Sequence, residues 1–563
     1  MQKVFDLCRR AAAFRWPGRT AIVACGLLGM LLPSAFGLVV GIPEPHIHDE
    51  FSYLLAADTF AHGRLTNPTP PSPEFFEAEH VLVVPTYMSK YPPGQGLILA
   101  TGQVLFGHPI WGVWLSCGLF AASLCWMLQA WVSPRWAVVA TLLAIISFGI
   151  SSYWAQSYWG GMPGACGGAL LFGGMRRTLR HATFGTSLLM GLGIVLLADT
   201  RPFEGLLACV PVAAILCYWL VTNRSRGLLA KFTCVVLPLV VVLGLGGWAN
   251  ATYNKAVTGD WKSLPYAVHL KQYFHQGVFI FSDQYSPERI PHERLAKFYA
   301  DHKFVPYRRA SLIAVKLLYF VPSRLQALLA CTVYEMAYGG VAPGVSLAWI
   351  GVLMLVGLRS RWGWFCGGMI LYVVVGQSFI EYWHAHYAAP VVPLILALLA
   401  ESMRRLYHGV RSGRRAAVLT PGSLTALACC CLAINCGGFL LGGLFKPSAQ
   451  SAAVDGSAND LVASREQVLH RLNEQKGMHL VFVRYSPNFS THQEWVFNEG
   501  DLKGARVIFA HDFGDARNRD LMARFSTRTA WLCQVAIREK RLVPYPPAAD
   551  VAQAAAAVGG KSP

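Results

Sequence analysis

Asp49 and Glu50 stand side by side in the run Pro43-Glu-Pro-His-Ile-His-Asp-Glu-Phe-Ser-Tyr53, a few residues beyond a long apolar stretch. A carboxylate held close to a membrane surface can act as a general base toward a hydroxyl or amine delivered there. The competing reading of Asp49 is an N-cap on a helix over 51–62, whose apolar side would be Phe51, Leu54, Leu55 and Phe60; the two roles are compatible. Met88-Ser-Lys90-Tyr-Pro-Pro-Gly-Gln-Gly96 follows at the far end of the same segment. A lone ammonium at Lys90 can hold a lipid phosphate at headgroup depth, or it can be an ordinary snorkelling lysine at the end of a span. Asp199, Arg201 and Glu204 fall between two apolar runs, where ionisable groups are costly and are either paired with one another or used on a substrate. His384 and His386 read as core or interfacial residues, with a protonated His386 as a second candidate contact to phosphate. The aromatic set Tyr153, Trp154, Tyr158 and Trp159 reads as an interface belt before a sugar-stacking platform.

The elements that must position these residues are membrane helices. Of 563 residues 54% are hydrophobic and only 14% charged, against roughly 25% charged in ordinary globular proteins, and mean hydropathy is +0.40. Apolar runs near 20–41, 108–130, 136–152, 164–175, 184–198, 206–221, 233–250, 340–357, 363–380, 388–402 and 421–443 read as spans. The expected fold class is therefore mainly α, a polytopic membrane protein of about eleven transmembrane helices, which excludes a soluble enzyme, a disulfide scaffold and a disordered chain. The first apolar run is too long for a cleaved signal peptide and reads as a retained anchor. The cysteines lie almost all in apolar runs, where they act as small hydrophobes, and no metal site is expected.

A net charge of +18 suggests a nucleic-acid partner until its placement is considered. With residues 1–19 in the cytoplasm, that tail and the short loops near 135, 176–180, 224–231, 359–361 and 401–415 carry nineteen Lys and Arg against Asp6 and Glu401. This is the positive-inside pattern, and it replaces the nucleic-acid reading. The pattern also makes 311–331, which is apolar but carries Lys316, Pro322 and Arg324, an interfacial helix rather than a span.

Three segments are left on the outer side: the loop 42–92, the loop 251–339, and 446–563 at the C-terminus. The first loop is acidic, with seven Asp and Glu against Arg64 and Lys90, and residues 251–310 are basic, with nine Lys and Arg against five acids. The two could face each other across a substrate, although attraction of the basic loop to anionic headgroups explains it equally well. In the tail, a helical pattern at 459–475, apolar runs at 479–485 and 505–510, a helical stretch at 516–525 and a strand candidate at 529–535 predict a small α/β domain. The residues from Asp550 onward are expected to be disordered.

The Asp-Glu pair just after the first span, followed by a helix, a variable loop and Lys-x-Pro-Pro, resembles the GT-C glycosyltransferases. More narrowly it is similar to the bacterial branch related to protein mannosyltransferases and lipid A aminoarabinose transferases. The resemblance continues in Arg201-Pro-Phe-Glu-Gly205, Tyr253-Asn-Lys-Ala-Val-Thr-Gly259 and His384-Ala-His-Tyr387 ahead of Pro390, and covers roughly residues 20–400. It implies a catalytic transmembrane domain over 20–445 that takes a sugar from a polyprenyl-phosphate carrier to a lipid, glycan or protein acceptor on the outer face of a bacterial inner membrane. The resemblance further implies inversion and no metal or other cofactor, with Asp49 as base beside Glu50 and Lys90 on the carrier phosphate. Arg201, His384, His386 and Tyr387 are the further candidates for that phosphate. Two departures stand out: Ser152–Gly161 carries no acid where many relatives do, and histidines stand where an arginine is frequent. The alternatives are a transporter or flippase of a lipid-linked glycan and an envelope scaffold.

Overall fold

The computed structural model describes residues 18–301, 317–325 with 328, 356–411 and 464–546, apart from 151, 276, 283–285, 290–291, 381–382 and 538. The chain opens with helix α1 (Gly18–Val40) and, after a short extended stretch, α2 (His48–Ala61). A small antiparallel sheet follows, with β1 (Asn67–Pro68) and β2 (Val81–Leu82) flanking β3 (Thr86–Ser89). Next come α3 (Pro93–Phe106), α4 (Ile110–Trp131), α5 (Pro134–Phe148), α6 (Met162–His181), α7 (Phe184–Thr200), α8 (Pro202–Thr222) and the long α9 (Leu228–Thr258). Two shorter helices, α10 (Pro265–Tyr273) and α11 (Glu293–Asp301), lead to α12 (Arg361–Gln377) and α13 (Val392–Arg411).

Among the described residues five helices are long and apolar enough to cross a membrane: α1, α4, α8, α9 and His386–Arg405, with α5 and α7 apolar but shorter. The protein is an integral membrane protein. The expected spans at 164–175 and 363–380 also fall on helices, α6 and α12. The expected span 421–443 lies outside the described residues, as does 340–357 apart from its last two. Of the expected interfacial helix 311–331, residues 317–325 are described and are helical. The stretch from Asp550 lies outside the described residues.

Glycine sets how closely the helices approach. A Cβ on Gly102 of α3 would lie 2.1 Å from the backbone nitrogen of Gly112 in α4, and one on Gly168 of α6 would lie 2.0 Å from the carbonyl oxygen of Pro390. Such contacts replace the hydrophobic drive that lipid does not provide between helices. They fix α3 on α4 and the 3-10 turn Ala385–Val391 on α6, and so place the residues at one end of the bundle. The main core lies between α4, α6, α12 and α13, around Leu124, Phe172, Met369 and Leu394.

Residues 464–546 form α14 (Arg465–Asn473), β4 (Met478–Tyr485), β5 (Val507–His511), α15 (Asp515–Arg524), β6 (Arg528–Val535) and β7 (Lys540–Pro544). The sheet order is β5-β4-β6-β7, parallel except for the last pair. Parallel strands are apolar on both faces because both must be covered. Helix α14 covers one face, through Val468 and Leu472 against Val481, Val483 and Phe509. The other face is covered by α15 and by the first loop itself: Leu55, Phe75, Phe76, Val81, Val83 and Tyr87 share one core with Leu480, Phe482, Ile508 and Leu521. The stacked rings of Phe51 and Phe497 (4.4 Å between centroids) and the Gly500 amide on Asp58 at 2.9 Å extend this contact.

Candidate active site

Asp49 lies in the first turn of α2, and it is not the cap of that helix. The N-cap position is Ile47. Glu50 does the capping: Oε2 accepts from the amides of His46 (2.9 Å) and Ile47 (3.1 Å), and Oε1 accepts from the amide of Tyr158 at 2.9 Å. A buried carboxylate so engaged ties the start of α2 to the 152–161 segment. Glu50, expected beside Asp49 at the catalytic position, is not among the residues that line the cavity that Asp49 faces; its carboxylate is engaged with the backbone.

With the cap supplied elsewhere, Asp49 is left facing a cavity of about 570 Å³, whose walls include Asp49, His48, His80, Lys90, Arg201 and Tyr387. His48 Nδ1 donates to Asp49 Oδ2 at 2.9 Å, and the Tyr91 hydroxyl donates to Oδ1. Burial works against the charge on Asp49. The neighbouring His80 and His48 rings, together with the Tyr91 hydroxyl, nevertheless hold its carboxyl well below the usual carboxylate range. It is a carboxylate at neutral pH.

The β2–β3 hairpin delivers Lys90. Val81 pairs with Ser89 and Leu82 with Met88, and the Lys90 amide donates to the His80 carbonyl at 3.1 Å, so His80 and Lys90 face each other across the hairpin. Pro92 and Pro93 then start α3, since proline lacks only an amide that the first turn leaves unpaired. The Lys90 ammonium donates to His80 Nδ1 at 2.8 Å and lies 4.9 Å from the ring centre of Tyr266 and 5.1 Å from that of Tyr91. Burial lowers its pKa to about 7, against the pull of Asp49. His80 is pushed well below its ordinary value, first by burial and then by the Lys90 charge. Its Nε2 lies 3.8 Å from Asp49 Oδ2, so one neutral imidazole spans the two charged groups. His80 also has φ +64°, a left-handed conformation uncommon for a residue with a Cβ.

Arg201 sits at the break between α7 and α8, where Pro202 begins the second helix. Its guanidinium lies 4.8 Å from the ring centre of Tyr387, which with His384 closes the same cavity. Among the described residues no salt bridge joins Arg201 to Glu204 or Asp199, and the Asp199 carboxylate instead accepts from Asn250 Nδ2 at 2.5 Å. His386 is behind the wall. Its Nδ1 meets the Tyr153 hydroxyl at 2.9 Å and its ring packs on Trp159 at 4.6 Å, and this expected phosphate contact is not among the residues that line the cavity. The interface-belt reading also changes, because Trp154 and Tyr158 are buried in the bundle and Trp159 lines the cavity.

The structure thus brings together Asp49, Lys90, Arg201, His384 and Tyr387, and leaves Glu50 and His386 outside. It adds His48, His80, Tyr91, Tyr266 and, from the C-terminal unit, His492. The acidic and basic loops do meet, through a buried ion pair between Glu77 and Arg289 at 2.8 Å. Among the described residues His48, Asp49 and His80 are the group whose donor atoms lie close enough to hold a metal ion, all within 4.8 Å of one another. The Lys90 ammonium on the other nitrogen of His80 opposes a cation there.

No protein-family model matches the sequence, and no curated protein is similar to it at the level of sequence. Among solved structures, ArnT from Cupriavidus metallidurans bound to undecaprenyl phosphate superposes with a TM-score of 0.50 over 93% of this chain and 97% of that one, at 14% identity. This chain has the GT-C fold. The same ArnT in its apo state gives a TM-score of 0.46 over 93% of this chain and 96% of that one, at 15% identity. An oligosaccharyltransferase from Archaeoglobus fulgidus in complex with Zn and sulfate gives 0.47 over 91% of this chain and 67% of that one, at 11% identity.

Proposed function

We infer that the protein is a membrane glycosyltransferase that moves a sugar from a polyprenyl-phosphate carrier to an acceptor. The observation that carries this is the pairing of a carboxylate and a buried ammonium through His80, on the wall of one cavity in a GT-C fold. Asp49 accepts the proton of an acceptor hydroxyl or amine, and the freed lone pair attacks the anomeric carbon. The bond from that carbon to the carrier phosphate breaks on the opposite face, so configuration inverts. The phosphate leaves into the field of Lys90 and Arg201, whose fixed positive charges stabilise the developing anion. Lys90 and Arg201 supply that charge without a divalent ion. His384 and Tyr387 complete the phosphate end of the cavity.

The cavity and the C-terminal unit are proposed to lie outside a bacterial inner membrane, consistent with the basic residues at the other end of the bundle. The ArnT structure of the same fold holds undecaprenyl phosphate, in keeping with a lipid-phosphate donor here. The test is extraction of carrier lipids from cells with and without the intact gene, read by mass spectrometry. Accumulation of the sugar-loaded carrier with loss of a glycosylated product supports transfer. Normal consumption of sugar-loaded carrier in detergent extracts lacking the protein, where no leaflet separates donor from acceptor, would point to a flippase instead.

A further inference from the structure

At the end of the bundle away from Asp49, about 30 Å along α4 by helix rise, a second cavity of about 340 Å³ opens where four helices come together. Its walls are Trp131 and Ser133 between α4 and α5, Arg180 in the last turn of α6, Trp362 in the first turn of α12, and Glu401 and Arg404 of α13. The charges there do not balance. Among the described residues Glu401 is the only acid in its lining, and both its oxygens are taken: Arg404 grips it with two bonds of 2.7 and 2.8 Å, and Arg405 adds a third at 2.6 Å.

Behind the Trp362 wall lies a further cation. The Arg176 guanidinium rests 3.5 Å from the Trp362 ring centre and 5.7 Å from that of Trp131. Arg176 is only 8% exposed, and among the described residues its Nε has no hydrogen-bond partner, nor does the Trp131 indole nitrogen. A buried donor without an acceptor is costly, and here two sit beside a cation-rich cavity. Arg180 is exposed at its edge.

We propose that this cavity binds the phosphodiester headgroup of an anionic phospholipid. A phosphate group offers acceptors to Arg180 and the Trp131 indole, and to the Nη1 that Arg404 does not commit to Glu401, and guanidinium with phosphate is the pairing that planar forks favour. The occupant is a lipid rather than a soluble anion because the cavity is built at the ends of membrane helices. Beside it α12 turns Trp364, Leu371 and Tyr372 outward, each at least 40% exposed, as a surface for acyl chains. Basic pockets between helices at a headgroup layer are a physical setting in which anionic lipids outcompete neutral ones. The proposal does not depend on the reaction at Asp49.

The experiment uses the full chain, purified and reconstituted separately with phosphatidylglycerol and phosphatidylcholine, with native mass spectrometry reading retained lipid. Wild type should retain phosphatidylglycerol preferentially, and Arg180→Gln combined with Arg404→Gln should weaken that retention about tenfold or more. Arg224→Gln removes an exposed charge elsewhere at the same end and should leave retention unchanged. An equal loss in Arg224→Gln would overturn the site in favour of general surface attraction. Equal retention of both lipids by wild type would overturn it as well. Displacement of the lipid by inorganic phosphate at matched concentration would overturn the lipid assignment and leave a free-phosphate site. Should the double variant fail to fold, Arg180→Gln alone, a change at an exposed side chain, carries the same comparison.

Discussion

The ammonium of Lys90 lies 2.8 Å from Nδ1 of His80. That contact leaves Nε2 of the ring toward Asp49, so the protonation of each charged group is felt by the other through one imidazole. Replacing His80 with Ala should lower transfer by about ten- to a hundredfold, the usual effect of removing a residue that orients a catalytic partner. A positioning role is distinguished from a structural one by the pH profile: without the ring, the Lys90 titration should move. An unchanged profile alongside unchanged activity would remove His80 from the site.

Asp49→Asn should reduce transfer by about a hundredfold to ten-thousandfold, the range for loss of a general base, with insertion and expression intact. Because Glu50 rather than Asp49 caps α2, the substitution leaves the helix start in place, and thermal stability serves as the control. Retention of undecaprenyl phosphate by the variant, measured on the purified protein, should be at least that of wild type. Near-normal product formation would sink the assignment.

Affinity for the carrier phosphate should depend on pH through Lys90, whose pKa is lowered to about 7. The ammonium is present below that value and lost above it. Binding should therefore hold at mildly acidic pH and weaken as pH rises above about 7 in the unliganded protein. Lys90→Arg should flatten the decline, since the guanidinium stays charged throughout. Isothermal titration with undecaprenyl phosphate across this range is the measurement, and identical curves for both proteins would mean that Lys90 does not hold the carrier phosphate.

Removal of divalent ions should leave transfer unchanged, with Lys90 and Arg201 supplying the positive charge. Activity is measured after chelation and again after adding back zinc or manganese. Loss on chelation with recovery on re-addition would assign His48, Asp49 and His80 to a metal instead.

The sequence suggests that a chain ending near Lys446 inserts and still binds donor, because none of the motifs falls in the tail. The structure revises the second half of that expectation. Truncation uncovers Phe75, Phe76, Val83 and Tyr87 and removes His492 from the cavity wall. It also strands Arg294, whose buried partner is Glu494 at 2.9 Å; breaking such a pair costs about 3–5 kcal/mol. The truncated chain should insert but lose carrier binding. Carrier binding at wild-type strength would show that the first loop folds alone.

Asp49 and Lys90 were legible because each stands at a fixed distance along the chain from a span, and the span itself is plain in the composition. The order of β4, β5, α15 and β6 was legible for the same reason: each is a run of one periodicity bounded by turn residues. His80 was not, since its place depends on the register of a hairpin with strands of two and four residues, too short to leave a period. His492 was hidden by sequence distance. The direction of Glu50 was not legible because adjacency to Asp49 in sequence says nothing of it: on a helix, neighbours point about 100° apart, and one faces the cavity while the other turns to the backbone.

The core shared by the first loop and the C-terminal sheet has a consequence for biosynthesis. His511 meets the Glu77 carbonyl at 2.7 Å across 434 residues of chain, and Phe75 waits for Phe482 and Phe513. The ribosome therefore releases the loop bearing Asp49 long before the strands that cover it exist. During that interval the apolar face of the loop, Phe75, Phe76 and Val83 included, lacks the strands that share its core. The wall of the cavity is completed only when residues 464–546 have been made, since His492 is part of it. A nascent chain stalled anywhere in the helices after α3 carries the first loop without the sheet that shares its core.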